Sequence, residues 1–143
     1  MRIALIEHHS GDARWFHLTL AEIGREHNLA VFSRGADALA FFRRSSPPDL
    51  IVTSDRFPTS NFQDFVENVR AIPIYEATPI AVITGMAYLI RKEVVAQGAI
   101  GCLEKPIDTG ALLAILNRID CSLTMNSHVP FRKLSSLPER RAL

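Results

Sequence analysis

Two cysteines, one tryptophan and two tyrosines are all that the 143 residues contain of those types. Cys102 and Cys121 share no spacing of a metal or redox motif, so neither a disulfide framework nor a zinc site is indicated; free thiols in a reducing cytoplasm are the expectation. An excess of one charge is missing too. Sixteen basic residues face fifteen acidic ones, which gives no electrostatic footprint for nucleic acid or for an anionic membrane. No apolar run approaches the length needed to span a bilayer. The opening MRIALIEHHS reaches Glu7, His8 and His9 after a brief apolar run, and reads as a first strand rather than a signal peptide. What remains is an ordinary globular composition, 48% apolar and 22% charged, on a chain long enough for one core.

Five short apolar runs recur: Ile3 to Ile6, Leu29 to Phe32, Leu50 to Thr53, Ile80 to Ile83, and Gly101 to Leu103. They are continuous rather than alternating, which predicts strands covered on both faces, as in a parallel sheet. Helical periodicity fills the gaps. A first helix is predicted over 11–27, with Ala13, Phe16, Leu20 and Ile23 on one stripe and Asp12 placed to favour the helix dipole. A second is predicted over 36–44, stopped by Pro47-Pro48. A third is predicted over 62–71, burying Phe65 and Val69, and a fourth over 91–97, closed by Gly98. A fifth is predicted over 109–119, capped by Asp108 or Thr109, with Leu112, Leu113, Ile115, Leu116 and Ile119 as its apolar face.

This alternation predicts an α/β doubly wound sheet with right-handed crossovers. Chemistry in such folds sits at the carboxyl ends of the strands. The candidate residues are therefore Glu7-His8-His9, Ser54-Asp55, Thr84-Gly85 and Glu104-Lys105-Pro106. The adjacent histidines with Glu7 are a thin basis for a transition-metal site, because two neighbours in sequence rarely converge on one ion without further ligands. Trp15 reads as packing or a partial surface contact. After Cys121 the pattern dissolves. The domain is expected to cover 1–121 and a flexible tail 122–143, with Val129, Phe131, Leu134 and Leu137 as the residues that would make the tail a docking segment.

The strand ends resemble the receiver domain of bacterial response regulators, the chemotaxis-receiver type of flavodoxin-like fold. The resemblance is carried, in order, by IALIEHH, SRGADALAFF, PDLIVTSDRFPTSNF, TPIAVITG and GAIGCLEKPID, and covers about residues 1 to 120. It implies a five-stranded parallel sheet in the order 2-1-3-4-5 with helices on both faces. It also implies a site in which two acids after strand one and an aspartate after strand three hold Mg²⁺. That aspartate takes a phosphoryl group, which a Thr or Ser after strand four and a Lys before a proline after strand five contact. Metal and ammonium would neutralise charge on the transferring group.

Mapped onto this chain, Glu7 matches the first acid and His8 stands where the second belongs. Thr84 matches the hydroxyl position, Lys105-Pro106 the lysine-proline pair, and Cys102 falls where an aromatic switch residue is common. Counting back four from Pro58, and counting forward from Pro-Asp-Leu at 48–50, both reach Ser54 as the acceptor position. Asp55 is one residue late, and a slip of one turns a strand side chain to the other face; a bulge could bring it back. Ser54 cannot form an acyl phosphate, and His8 is never anionic. Magnesium prefers hard oxygen ligands, so no cofactor or metal is expected.

The expected molecule is a pseudo-receiver: fold kept, phosphorylation lost, and Lys105 paired with Glu7, with hydrogen bonds from Ser54 and Thr84. It is expected to be a cytoplasmic, non-enzymatic module of two-component signalling that acts by protein–protein interaction. The implied partners are a histidine kinase or an output protein, and a second copy through helix four, strand five and helix five. The alternative is a phosphorylatable receiver using Asp55, with Mg²⁺ held by Glu7 and Asp55. A flavin carrier on the same fold is disfavoured, because EHHSGDAR lacks a dense Ser/Thr/Gly phosphate cradle. About twenty tail residues are too few for an output domain, so a stand-alone receiver or a fragment is expected.

Overall fold

The computed structural model describes residues 1–57 and 61–125, and side-chain surroundings for all of these except 87–89 and 122–125. Pro58, one anchor of the register argument, and the tail residues Val129, Phe131, Leu134 and Leu137 lie outside the described residues. Five strands, β1 (Arg2–Ile6), β2 (Asn28–Phe32), β3 (Leu50–Ser54), β4 (Ile80–Thr84) and β5 (Gly101–Glu104), form one sheet in the order β2-β1-β3-β4-β5, as expected. Every pairing is parallel. Between them run α1 (Ser10–Ile23), α2 (Gly35–Phe42), α3 (Phe62–Arg70) and α4 (Ala87–Ala96), and α5 (Thr109–Met125) follows β5.

Side chains alternate across the sheet, and the two core clusters follow that alternation. Ile3, Leu5, Leu50, Val52, Ile83 and Leu103 face Phe16 and Leu20 of α1 and Leu112 and Leu116 of α5. Ala4, Ile6, Ile51, Ile80 and Val82 face the other way, onto Phe42 of α2, Phe65 and Val69 of α3 and Val94 of α4. This parity decides where each strand-end residue points.

Helix ends depart from the predicted ones for local reasons. α1 stops at Ile23 rather than near His27, because Gly24 adopts φ 78° and its N–H bonds the Ala21 carbonyl. Its N-cap is His9, whose ring accepts from the Asp12 N–H at 3.3 Å. α2 ends at Phe42, ahead of the two prolines, and α4 begins at Ala87, earlier than the predicted 91. α5 is capped by Asp108, which accepts from Ala111 N–H at 3.0 Å. That helix runs on to Met125, so the expected boundary at 121 falls inside it; no glycine or proline stands between Gly110 and Met125 to stop it.

A feature absent from the sequence reading is the 3₁₀ turn Pro73–Tyr75. It buries Tyr75 completely, with the ring 5.0 Å from Phe42. The Tyr75 hydroxyl donates to the Ser45 and Ser46 carbonyls at 3.1 and 3.3 Å. Burial pushes its pKa above the ordinary tyrosine value.

Candidate functional site

A cleft of about 330 Å³ opens over the carboxyl ends of the strands, with Glu7, His8, Asp12, Ser54, Asp55 and Lys105 on its walls. Most of the predicted site residues meet here, but they divide into two groups. Glu7 continues the parity of Ile3 and Leu5, Ser54 that of Leu50 and Val52, and Lys105 that of Leu103, so these three belong to the α1/α5 side. Asp55 continues Ile51, and Thr84 continues Ile80 and Val82, on the opposite side.

On the α1/α5 side the centre is an ion-pair cluster. Lys105 Nζ lies 3.4 Å from Glu7 Oε1 and donates to Asp12 Oδ2 at 2.7 Å. The Glu7 side chain is 1% exposed. Its Oε2 accepts from the His9 backbone N–H at 3.1 Å, while Oε1 has no hydrogen-bond partner, so its contact with the ammonium is an ion pair without hydrogen-bond geometry. Burial alone would lower the Lys105 pKa; the Asp12 hydrogen bond and the charges of Glu7 and Asp12 more than offset this and hold it above the ordinary lysine value. His8, in the place of a second acid, keeps its Nδ1 3.9 Å from Glu7 Oε2 and is well exposed.

The Glu7–Lys105 pairing agrees with expectation; the rest of the expected network does not. Ser54 is buried, and its hydroxyl oxygen accepts from the Arg56 N–H at 3.4 Å, with no bond to Lys105. Thr84 is occupied on the other side of the sheet edge. Its hydroxyl donates to Asp55 Oδ2 at 2.8 Å and its oxygen accepts from the Met86 N–H at 3.0 Å. The partner that sequence reasoning missed is Asp12. An acidic residue in the first turn of a helix looks sufficient as a dipole partner, and nothing local reveals a lysine 93 positions away.

Asp55 has not been carried back to the lysine by a bulge: its backbone N–H continues the ladder to the Ile83 carbonyl at 3.0 Å, and its carboxylate is held by Thr84. Cys102, expected at the switch position, is half-buried against the α2/α3/α4 core. Burial raises its thiol pKa; Arg91 opposes this, and Asp55 and Glu104 add to it. Both cysteines are free thiols. The Lys105–Pro106 peptide is cis. Trp15, half-exposed on α1, donates its indole N–H to the Ile107 carbonyl at 3.1 Å and so ties α1 to the loop after β5. Among the described residues no group of three or more His, Cys, Asp or Glu side chains is arranged to hold a metal ion. Among them, too, no helix is long and apolar enough to cross a membrane.

No protein-family model matches the chain, and no curated protein matches it. Solved structures do. The chemotaxis response regulator CheY4 of Vibrio cholerae superposes with a TM-score of 0.68 at 28% identity, covering 82% of this chain and 97% of that one. A CheY-like response regulator receiver domain from Methylobacillus flagellatus gives 0.70 at 24% identity, over 83% and 98%. The receiver domain of a sensor histidine kinase from Pseudomonas aeruginosa, with a magnesium ion coordinated in its active-site cleft, gives 0.72 at 23% identity, over 82% and 94%. The structural neighbours are thus response regulator receiver domains, and the fold of this chain is the CheY-like, flavodoxin-like receiver fold.

Proposed function

We propose that this chain is an atypical receiver: a signalling module of the two-component type that acts through contact with a protein partner and carries no aspartyl phosphate. The observation that supports this most is the split across the sheet edge. The residue on the lysine side at the acceptor position is a hydroxyl, Ser54, while the neighbouring carboxylate, Asp55, is bound to Thr84 on the other side. A phosphoryl group built on Asp55 would first have to displace the Thr84 hydroxyl, and Lys105 is already compensated by Glu7 and Asp12.

The residues do not fit a magnesium ion. Glu7 is engaged by Lys105 and the His9 N–H, Asp55 by Thr84, and the place of a second acid is held by His8, whose nitrogen donors suit softer metals. The internal carboxylates instead occupy the two groups that would sense a phosphate. That arrangement supports a module held in one state and read by shape. The surface formed by α4, β5 and α5 suits a partner, a histidine kinase, an output protein or a second copy; Val95 on α4 is 60% exposed there.

The second reading, phosphorylation of Asp55, is favoured by one fact: the Asp55 carboxylate lines the same cleft as Glu7 and Lys105. Amide chemical shifts recorded with Mg²⁺ and beryllofluoride separate the two. The proposed function expects no change at Thr84 or Lys105; saturating shifts at both, lost in Asp55→Ala, would establish the second reading instead.

A further inference from the structure

A second cavity, about 320 Å³, lies beside the cleft, between the first turns of α1 and the loop after β5. Its walls are apolar: the half-exposed ring of Trp15, Ile83, Pro106 and Ile107. At one end stand Asp12 and Lys105, which line the cleft as well, so the ion pair between them is the partition between the two spaces. A concave, mostly apolar site with one or two polar groups at its end is the usual form of a small-molecule pocket.

The charge at that end has a definite sign. Glu7 and Asp12 carry two negative charges, and the one positive charge of Lys105 is in contact with both, which leaves one negative charge in excess in this cluster. Asp12 uses only Oδ2 towards Lys105; Oδ1 enters no hydrogen bond among the described residues. His9 Nδ1, 3.5 Å from Oδ2, is tied to capping the Asp12 N–H. Three residues on, one turn along α1, Trp15 is fixed in place by its N–H bond to Ile107. A carboxylate with a free oxygen next to an immobilised indole is the arrangement that attracts an organic cation, through ion pairing and through the ring quadrupole. An anionic ligand would have to drive Asp12 off Lys105 and would add to the excess negative charge.

We propose that the cavity between Trp15 and Asp12 binds a small organic ammonium compound, its apolar body against Ile83, Pro106 and Ile107 and its cationic group between the Asp12 carboxylate and the Trp15 ring. The ligand would complete the charge of the Glu7–Lys105–Asp12 cluster and clamp α1 to the loop after β5. Nothing in this chemistry depends on whether Asp55 accepts a phosphoryl group.

Trp15 is the only tryptophan in the chain, so its fluorescence reports on the cavity directly. The full chain is titrated with phenethylammonium, with 2-phenylethanol and with 3-phenylpropionate, which share the phenyl body and differ in charge. The ammonium should give a saturable change in Trp15 emission and bind at least roughly tenfold tighter than the alcohol, as a partly desolvated cation–π and ion-pair contact predicts. Asp12→Asn should abolish that preference, so that the ammonium binds no tighter than the alcohol. Raising the salt concentration on the unaltered protein should weaken the ammonium alone, which tests the charge without any variant. Equal or tighter binding of the alcohol or the carboxylate, or no saturable response to any of the three, overturns the proposal.

Discussion

Replacing Lys105 by methionine should cost far more than replacing the closer of its two partners. Lys105 lies nearer to Asp12, at 2.7 Å, than to Glu7, at 3.4 Å. Distance alone would make the Asp12 contact the stronger one. Exposure reverses the order. The Asp12 side chain is 37% exposed, so Asp12→Asn removes a screened contact and leaves Lys105 still facing Glu7, a loss of about 1 kcal/mol or less. Glu7 is 1% exposed, and one of its oxygens already lacks a hydrogen bond. Lys105→Met therefore strands a buried carboxylate with the His9 N–H as its one hydrogen bond and the exposed His8 ring 3.9 Å away, a cost of about 3 kcal/mol. If stranding is the cause, removing the charge should relieve it: Glu7→Gln combined with Lys105→Met should recover at least half of the loss. Urea denaturation of the four proteins at neutral pH, compared at a common slope, measures these differences. A Lys105→Met cost no larger than that of Asp12→Asn, or a double variant no more stable than Lys105→Met, would refute the reasoning.

Three further outcomes follow from the same structure. Ser54→Asp returns a carboxylate to the lysine side beside Glu7, so thermal stability should become dependent on Mg²⁺ in the variant while the unaltered protein shows no such dependence; equal behaviour of the two would contradict the parity assignment. Tyr75 has a pKa raised by burial, so above about pH 10 the unfolded chain loses its phenolic proton first and stability should fall with rising pH by up to about 1.4 kcal/mol per unit. Lys105, also raised, contributes stability that is full below the ordinary lysine pKa and lost as pH climbs through the higher folded value, so it acts in the same alkaline direction; Tyr75→Phe should flatten the curve only in part. Arg25, just past the end of α1, donates to Asp120 and, at 2.6 Å, to Asn117 of α5. Arg25→Ala should cost about 1 kcal/mol in the same denaturation assay, as expected for a partly exposed network.

The strands were readable because a sheet covered on both faces must be built from unbroken apolar runs, and Leu50 to Thr53 or Ile80 to Ile83 have few other uses; their order was implied by the resemblance to receiver domains and not by the runs themselves. The division between Ser54 and Asp55 was readable for a related reason: strand side chains have a period of two, so one position of offset changes the face. The partners at the strand ends were not readable. Asp12 belongs to α1 and Lys105 to the loop after β5, and only the folded sheet brings them together. Thr84 was expected beside the lysine because its place in the sequence pattern fits that role, yet Asp55, one residue past the end of β3, lies on its own side of the sheet and takes its hydroxyl. The cap of α1 was missed for a chemical reason: His9 is an uncommon N-cap, and its ring does what Ser or Asp usually does. The helix ends at Ile23 and Met125 show the limits of periodicity, since a glycine can stop a helix within an apolar stripe, and a helix can continue past one when no breaker follows.

The central claim is that this receiver fold carries no acceptor carboxylate on its lysine side, and intact-mass spectrometry of the protein incubated with Mg²⁺ and a small-molecule phosphodonor tests it most directly. The predicted spectrum is that of the untreated chain. Addition of one phosphoryl group, present in the unaltered protein and absent in Asp55→Ala, would contradict it.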